Sequence, residues 1–247
     1  MKYVGSKNKI AKHIVPILQS LIDKNHIEVY IEPFVGGGNI IDKISCKSKY
    51  GFDIDNIPIS IFKHYIEKPQ DLDILPNSLT KDFYYYIRDN NEFPAWYKSS
   101  ILLFGSYNSR VYGGCYGATA QTKNGKTRNY YREAINNFKK QLPNLKGIKF
   151  EQKSYLDLDF QDILIYCDPP YKNGIGYQEE FNHELFWQWA EKQIKNNTVI
   201  VSENEAPNDW VCIWQQQTKT SMNNRNKINK VEKLFIHKNQ LKIIKEY

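Results

Sequence analysis

The residues with the clearest chemistry stand together at Asp168–Pro169–Pro170–Tyr171. Neither proline can donate to a sheet ladder, so a strand that reaches them must end there. The resulting turn is stiff and fixes one carboxylate, outward carbonyls and one aromatic ring in a small space. Ile163–Leu164–Ile165–Tyr166, just before it, has the length and β-branched content of a buried strand. In an open α/β sheet, ligands bind at the carboxyl ends of strands. A carboxylate and a carbonyl in that position can accept hydrogen bonds, and a ring beside them can stack on a flat ligand.

A second constellation lies nearer the N-terminus. Glu28–Val29–Tyr30–Ile31 reads as a strand running into Glu32–Pro33–Phe34–Val35–Gly36–Gly37–Gly38–Asn39, with a helix expected from Ile40 to about Cys46. Glycines in such a turn let the backbone approach a ligand where a Cβ would clash. The dinucleotide fingerprint is not met, because its third glycine would fall at Ile41, and no Gly-Lys-Ser/Thr closes a P-loop. A second strand, Lys49–Tyr50–Gly51–Phe52, ends in Asp53–Ile54–Asp55. An acid at that point can accept both hydroxyls of a ribose; Asp53 is the better placed, Asp55 the alternative. The expected ligand is one nucleoside with a ribose and no pyrophosphate, a description that S-adenosylmethionine fits. Ahead of both strands, Tyr3–Val4–Gly5–Ser6–Lys7 precedes a helical pattern through Ile10, Ile14, Leu18 and Leu21, with a kink expected at Pro16. Backbone N–H groups after Gly5 and the cation of Lys7 together suit a carboxylate.

The elements that must carry these residues follow from the totals. At 247 residues, with 41% hydrophobic content, the chain can bury one core with an inserted subdomain. The net charge of +7 points to a polyanionic partner. From Lys123 to Lys149 the basic residues Lys126, Arg128, Arg132, Lys139, Lys140 and Lys146 interleave with Tyr130, Tyr131 and Phe138, with Glu133 as the opposing acid. Such a mixture neutralises phosphates and packs rings against sugars or bases. No apolar stretch is long enough to span a membrane, and Met1–Gly5 lacks a signal-peptide core, so a cytoplasmic location is expected. Cys46, Cys115, Cys167 and Cys212 lack metal-ligand spacing, and the five histidines form no constellation; no metal is expected.

Strand–helix alternation breaks between Ile57 and Lys149. Helices are expected over Ile57–Glu67, Leu79–Asn90 and Trp96–Phe104, then turns around short β-prone pieces from Gly105 to Gly125, then a basic helix over Tyr130–Leu142. Alternation resumes with strands at Ile148–Glu151 and Thr198–Ser202, a polar loop at Lys172–Phe181 and a helix at His183–Lys195. Gln215–Lys230 reads as polar and mobile, with closing edge strands at Lys233–His237 and Leu241–Ile244.

Taken in order, Tyr3-x-Gly5-Ser6-Lys7, Glu32-Pro33-Phe34-Val35-Gly36-Gly37-Gly38, Phe52-Asp53-Ile54-Asp55 and Asp168-Pro169-Pro170-Tyr171 resemble the Dam-type DNA adenine N6-methyltransferases. In that class the cofactor motif comes first, the target-recognition domain next, and the Asp-Pro-Pro-Tyr motif last. The family often has tryptophan or phenylalanine at Tyr3 and aspartate at Glu32. The resemblance implies an α/β fold: a Rossmann-like S-adenosylmethionine-dependent methyltransferase sheet with an inserted helical target-recognition subdomain bearing a hairpin or loop. Residues 1–56 and 148–247 would form the catalytic domain and 57–147 the recognition subdomain. It also implies methyl transfer from S-adenosylmethionine, leaving S-adenosylhomocysteine, to N6 of a flipped-out adenine in double-stranded DNA, with a cognate restriction endonuclease as a possible partner.

By the same similarity, Asp168, Pro169, Pro170 and Tyr171 are the catalytic turn. Tyr3, Gly5 and Lys7 hold the cofactor's amino-acid end, Glu32, Pro33 and the Phe34–Gly38 turn pass beneath it, Asp53 takes the ribose, and Tyr155 lies near the adenine moiety. Asp168 borders cofactor and target base alike. Base readout is expected from Tyr107, Asn108 and Arg110, and phosphate contact or readout from Lys2, Arg128, Arg132 and Arg225. Cytosine N4 methylation uses the same geometry but more often has serine where Asp168 stands. Methylation of RNA or of a protein glutamine is a further alternative; the protein-directed family typically has asparagine there and lacks a basic insert at this place. A non-catalytic DNA-binding relic would have lost these motifs.

Overall fold

A computed structural model of the chain describes residues 1–109, 111, 114–115, 119–121, 124–171, 181–221 and 227–243. The apolar runs become seven strands of one sheet: β1 (Val29–Glu32), β2 (Ser48–Asp53), β5 (Lys149–Gln152), β6 (Leu164–Cys167), β7 (Thr198–Glu203), β8 (Trp210–Ser221) and β9 (Lys227–His237). The short hairpin β3 (Thr119–Gln121) and β4 (Thr127–Asn129) stands apart from it. The strand order is β5-β2-β1-β6-β7-β9-β8. The first five are parallel neighbours, and β9 and then β8 add antiparallel. The chain moves outward from β1 through β2 to β5, then returns to lay β6 on the other side of β1. That reversal, where Ile31 pairs with Ile165, opens a crevice beyond the carboxyl ends of β1 and β6. Glu32 is the last residue of β1, and Asp168 follows β6 directly.

Side-chain alternation on β6 feeds both faces. Leu164 and Tyr166 join one core, beneath helices α1 (Ala11–Lys24), α2 (Asn56–Glu67), α4 (Ala95–Gly105) and α5 (Tyr130–Leu145). Ile165 and Cys167 join the other, under α6 (His183–Gln193). α1 keeps Ile14, Leu18, Leu21 and Ile22 inward and runs continuously through Pro16. Asp55 caps α2 by accepting from Ile57 N–H at 2.9 Å, and Asn182 caps α6 through Leu185 N–H at 2.9 Å. α2 and α5 meet over the sheet through Phe62, whose ring centroid lies 4.4 Å from Phe150 and 6.2 Å from Phe138. α3 (Lys81–Asp89) packs on α4, and the expected helices at 57–67, 79–90, 96–104 and 130–142 are all present with small shifts of boundary.

Three expectations are corrected. The helix from Ile40 to Cys46 is only a 3-10 turn at Ile41–Lys43. Ile44 turns extended at ψ 135°, which ends the turn, and the Lys49 ammonium takes the Ile41 and Ile44 carbonyls at 3.2 and 2.9 Å. The polar tract at Gln215–Lys230 is largely strand, because β8 and β9 pair from Trp210↔His237 to Ser221↔Lys227. An antiparallel edge ribbon satisfies its backbone in the ladder while leaving one face to water, so polar residues suit it. Finally, Leu241–Ile243 lies in a 3-10 turn (Lys238–Ile243), and β8 is the outer edge instead. There the Gln240 side chain accepts from Val199 N–H at 3.1 Å and donates to the Asn197 carbonyl at 2.5 Å, so a side chain occupies the backbone groups at the start of β7. Of the polar loop expected at Lys172–Phe181, residues 172–180 lie outside the described residues.

Gly51 on β2 leaves no room for a side chain: a Cβ there would sit 2.7 Å from the Phe150 ring and 2.9 Å from Val35 Cγ2. Overpacking of this kind costs about 1–3 kcal/mol. Gly51→Ala is therefore expected to lower the melting temperature by roughly 2–4 °C per kcal/mol lost. An unchanged thermal transition would show that Phe150 yields freely.

Candidate active site

The N-terminal turn supplies the site's cation. Gly5 has φ +73°, a conformation that glycine adopts without strain, and Ser6 Oγ accepts from Asn8 N–H at 3.3 Å. The chain thereby enters the 3-10 turn Lys7–Lys9 with Lys7 buried at 5% exposure. Its Nζ lies 2.7 Å from Asp168 Oδ1, 3.5 Å from Glu232 Oε2 and 4.4 Å from the centre of the Tyr171 ring. Burial opposes the charge on Lys7, but the Asp168 and Glu232 carboxylates outweigh it and push its pKa up. The sequence pairs this lysine with a carboxylate to be bound; the fold surrounds it with carboxylates of the chain itself.

Asp168 follows β6 at the crevice, and Pro169 is buried against it. The Tyr171 hydroxyl lies 2.7 Å from Glu232 Oε2 and 3.0 Å from Ser202 Oγ. An ionised carboxylate only accepts, so the phenol proton points at Glu232 and Ser202 donates to the phenol oxygen. Burial, then the Asp168 and Glu232 charges, raise the Tyr171 pKa well above the ordinary phenol value. Neither Glu232 nor Ser202 stands out in the sequence reading. The available signal was a carboxylate at Glu232 two residues before Leu234, on the core-facing side of a strand.

On the β1 side, Glu32 is buried and accepts from the Tyr30 hydroxyl at 2.8 Å. Burial pushes its pKa well above the carboxylate range, against the Tyr30 hydrogen bond. The glycine turn behind it has φ +45° at Gly36 and +63° at Gly38. A Cβ at Gly36 would lie 2.9 Å from the Tyr3 ring, and one at Gly37 would lie 2.5 Å from Asn39 Nδ2 and 2.7 Å from the Met1 carbonyl. What demands glycine at 36 and 37 is thus the packing of the chain's own N-terminal segment. Asn39 ties that segment down, donating to the Met1 carbonyl at 2.7 Å and to Ser6 Oγ at 2.8 Å.

Asp53 accepts from Gly36 N–H at 2.9 Å through Oδ2 and from Asp55 N–H at 3.0 Å through Oδ1. Burial pushes its carboxyl up to about 7, against those backbone hydrogen bonds. Asp55 is committed elsewhere: it caps α2 and lies 3.4 Å from the Tyr3 hydroxyl. The loop after β5 is stitched to the same place by Lys153 N–H to the Asp53 carbonyl at 2.9 Å and Gln152 Nε2 to the Ile54 carbonyl at 3.0 Å. It carries Tyr155, whose ring lies 5.2 Å from Phe34 and 5.9 Å from Phe181. Ile54 and Leu156, the neighbours of Asp53 and Tyr155 in the chain, are 70% and 47% exposed. An acid with remaining acceptor capacity, an aromatic cluster and two uncovered aliphatic side chains are the surface a nucleoside would cover.

Of the expected DNA contacts, Arg128 in β4 and Arg132 in the first turn of α5 flank the strand–helix junction, and Lys2 is drawn there by Glu133. Arg128 Nε pairs with Glu133 Oε1 at 2.8 Å, and its guanidinium stands 4.7 Å from the Tyr130 ring centre. Glu133 also attracts Lys2. Arg132 is half-buried with an Nη1 that is enclosed and has no hydrogen-bond partner. Tyr107 is exposed and, with Asn108, belongs to a 3-10 turn after α4. Arg110, Arg225 and Lys123 lie outside the described residues. No group of His, Cys, Asp and Glu suited to a metal occurs among the described residues, and no described helix is long and apolar enough to cross a membrane.

The strand order, with its crevice between β1 and β6, defines a Rossmann-like α/β sheet. The chain belongs to the D12 class of N6 adenine-specific DNA methyltransferases, whose family description matches residues 3–235. It is 27% identical over 202 residues to the Type II methyltransferase M.MjaIII of Methanocaldococcus jannaschii, covering 70% of this chain and 68% of that protein. Among solved structures it is similar to the rRNA methyltransferase aviRa of Streptomyces viridochromogenes, at 9% identity and TM-score 0.44 over 99% of this chain and 89% of that one. A further likeness is to an rRNA methylase of Streptococcus thermophilus, at 7% identity and TM-score 0.36 over 91% and 96% of the two chains. Family membership makes this chain an adenine-directed DNA methyltransferase and disfavours the cytosine, protein and relic alternatives.

The raised Asp53 pKa has a consequence for stability. Unfolded, the group ionises near 3.8; folded, near 7. Between those values the folded chain holds a proton that the unfolded chain has released. Its contribution to stability is therefore full below the lower value and is lost as pH rises through the upper one. Asp53→Asn should flatten the decline of stability with pH across that window, measured by denaturant unfolding. An unchanged slope would mean that Asp53 ionises normally.

Proposed function

We propose that this chain transfers a methyl group from S-adenosylmethionine to the exocyclic N6 of an adenine extruded from double-stranded DNA. The observation that carries the reading is the buried Lys7–Asp168 contact of 2.7 Å at the crevice between β1 and β6. It holds the first residue of the Asp-Pro-Pro-Tyr turn ionised, and so able only to accept hydrogen bonds, where a substrate amine must lie.

The adenine N6 lone pair is delocalised into the ring, which makes the amine a poor nucleophile. Two acceptors fixed before the base arrives, the Asp168 carboxylate and the Pro169 carbonyl, draw on the N6 hydrogens and return electron density to nitrogen as it attacks. Tyr171 stacks on the base and keeps it in line. Lys7 over the same ring steadies that stack from within the protein. When bound, S-adenosylmethionine supplies a sulfonium methyl, and transfer leaves neutral S-adenosylhomocysteine and one proton for the amine to shed.

The residues present fit that cofactor. Asp53 has two lone-pair positions used by backbone N–H groups and others left for ribose hydroxyls. Phe34, Tyr155 and Phe181, with exposed Ile54 and Leu156, suit an adenine ring. Tyr3, Gly5, Glu32, Pro33 and the Gly36–Gly38 turn line the cofactor's remaining length in this reading. No metal ligand is needed for the step.

Residues 57–147 would act as the target-recognition subdomain on a catalytic body of 1–56 and 148–247. A base inside a duplex cannot reach Asp168, so it must be flipped, at a cost of a few kcal/mol. Phosphate contacts from Lys2, Arg128 and Arg132 offset that cost, with Tyr107 and Asn108 near base edges. A cognate restriction endonuclease sharing the target sequence is the natural partner of such an activity.

With radiolabelled cofactor and unmethylated genomic DNA, label should enter DNA and appear as N6-methyladenine after digestion to nucleosides. Asp168→Ala should reduce transfer by about 10²–10³-fold or more while the fold survives. Label recovered as N4-methylcytosine, or an active Asp168→Ala, would sink the reading. Asp53→Ala should weaken cofactor binding by about tenfold, as loss of one or two hydrogen bonds predicts; calorimetric titration measures it directly.

A further inference from the structure

The Asp-Pro-Pro-Tyr turn does not stand alone, and its support comes from the far end of the chain. Glu232 on β9 and Ser202 on β7 reach the turn from the antiparallel side of the sheet. Both are buried. Glu232 Oε2 is 2.7 Å from the Tyr171 hydroxyl and 3.5 Å from Lys7 Nζ, and Ser202 Oγ is 3.0 Å from the same hydroxyl.

We infer that Glu232 is a positioning residue for methyl transfer, fixing the Tyr171 ring through its hydroxyl and sharing the Lys7 cation with Asp168. The inference rests on the proposed role of Asp168 and Tyr171 at the target base.

Two physical requirements make the arrangement more than packing. A ring that must hold a base in line has to be immobile about its own axis and tilt. A phenol with a carboxylate as acceptor and a serine as donor has no free rotamer left. Lys7 beside Asp168 alone would form a closed ion pair. A second carboxylate at 3.5 Å draws part of the ammonium's hydrogen-bonding capacity away, which leaves Asp168 a stronger acceptor for an incoming amine.

The test is a set of single-turnover rates with saturating cofactor and unmethylated genomic DNA. Glu232→Ala should slow transfer by about 10- to 100-fold, the cost of a small misplacement of a reacting group, with DNA affinity unchanged. Glu232→Gln keeps the side-chain volume and an oxygen that accepts from Tyr171 but carries no charge for Lys7, so it should fall between wild type and alanine. In a Tyr171→Phe background, Glu232→Ala should cost several-fold less than in the wild type, because the shared hydroxyl is already gone.

Equal losses in both backgrounds, or a loss that tracks only a lowered melting temperature, would overturn the inference and make Glu232 a structural residue. If Glu232→Ala does not fold, the glutamine variant decides, and a wild-type rate from it overturns the charge-sharing role. An active wild type with unimpaired Glu232 variants overturns the inference alone. A wild type that makes no N6-methyladenine overturns the reading beneath it as well.

Discussion

One buried cation organises this protein. Lys7 is the ammonium between Asp168 and Glu232, and it lies over the Tyr171 ring. Asp168, half-buried, and Glu232, buried, would repel each other and resist ionisation without it. Removing one partner of a buried ion pair typically costs about 3–5 kcal/mol, because a charge is left uncompensated. The N-terminal segment, the end of β6 and β9 are therefore held to one point by electrostatics, while the sheet ladder holds the two strands in place.

That dependence explains the packing around the glycine turn. For Lys7 to reach Asp168, residues 1–6 must pass over the Gly36–Gly38 backbone at close range. Tyr3, Met1 and Asn39 occupy the space where side chains at 36 and 37 would project. Turn and N-terminal strap thus form one unit, joined to β2 by Gly36 N–H on Asp53 and by Tyr3 near Asp55. A change at Tyr3 or Asn39 would be felt at Lys7 and Asp53 together, without touching either.

The central segment is bound into the same body. α2 and α5 cover the sheet face that also receives α1, with Phe62 between Phe138 and Phe150. The junction of β4 and α5, flanked by Arg128 and Arg132, is in this way rigidly linked to the N-terminal strap. The residues proposed for phosphate contact and the crevice between β1 and β6 thus share one scaffold.

The sequence by itself determined the local elements and the motif chemistry. The prolines after Cys167 had to end a strand, the acid after Phe52 stood at another strand's end, and apolar spacing specified the helices. These follow from short-range rules of backbone donors, φ limits and periodicity. It also carried enough of the family's motifs, in order, to specify an adenine methyltransferase. Partnerships between distant residues were decided only by tertiary structure. Lys7 reads from the sequence as a cation for a bound carboxylate, and the fold also makes it the counter-ion of Asp168. The glycines read as space for a ligand, and the fold also packs Tyr3 and Met1 against them. Glu232 was one carboxylate in a charged tail until β9 folded back beside β7 and turned it inward. The same return made a polar tract into an edge ribbon. In each case the deciding contact joins residues far apart in the chain, and a buried charge finds its partner only when the sheet order brings the two together.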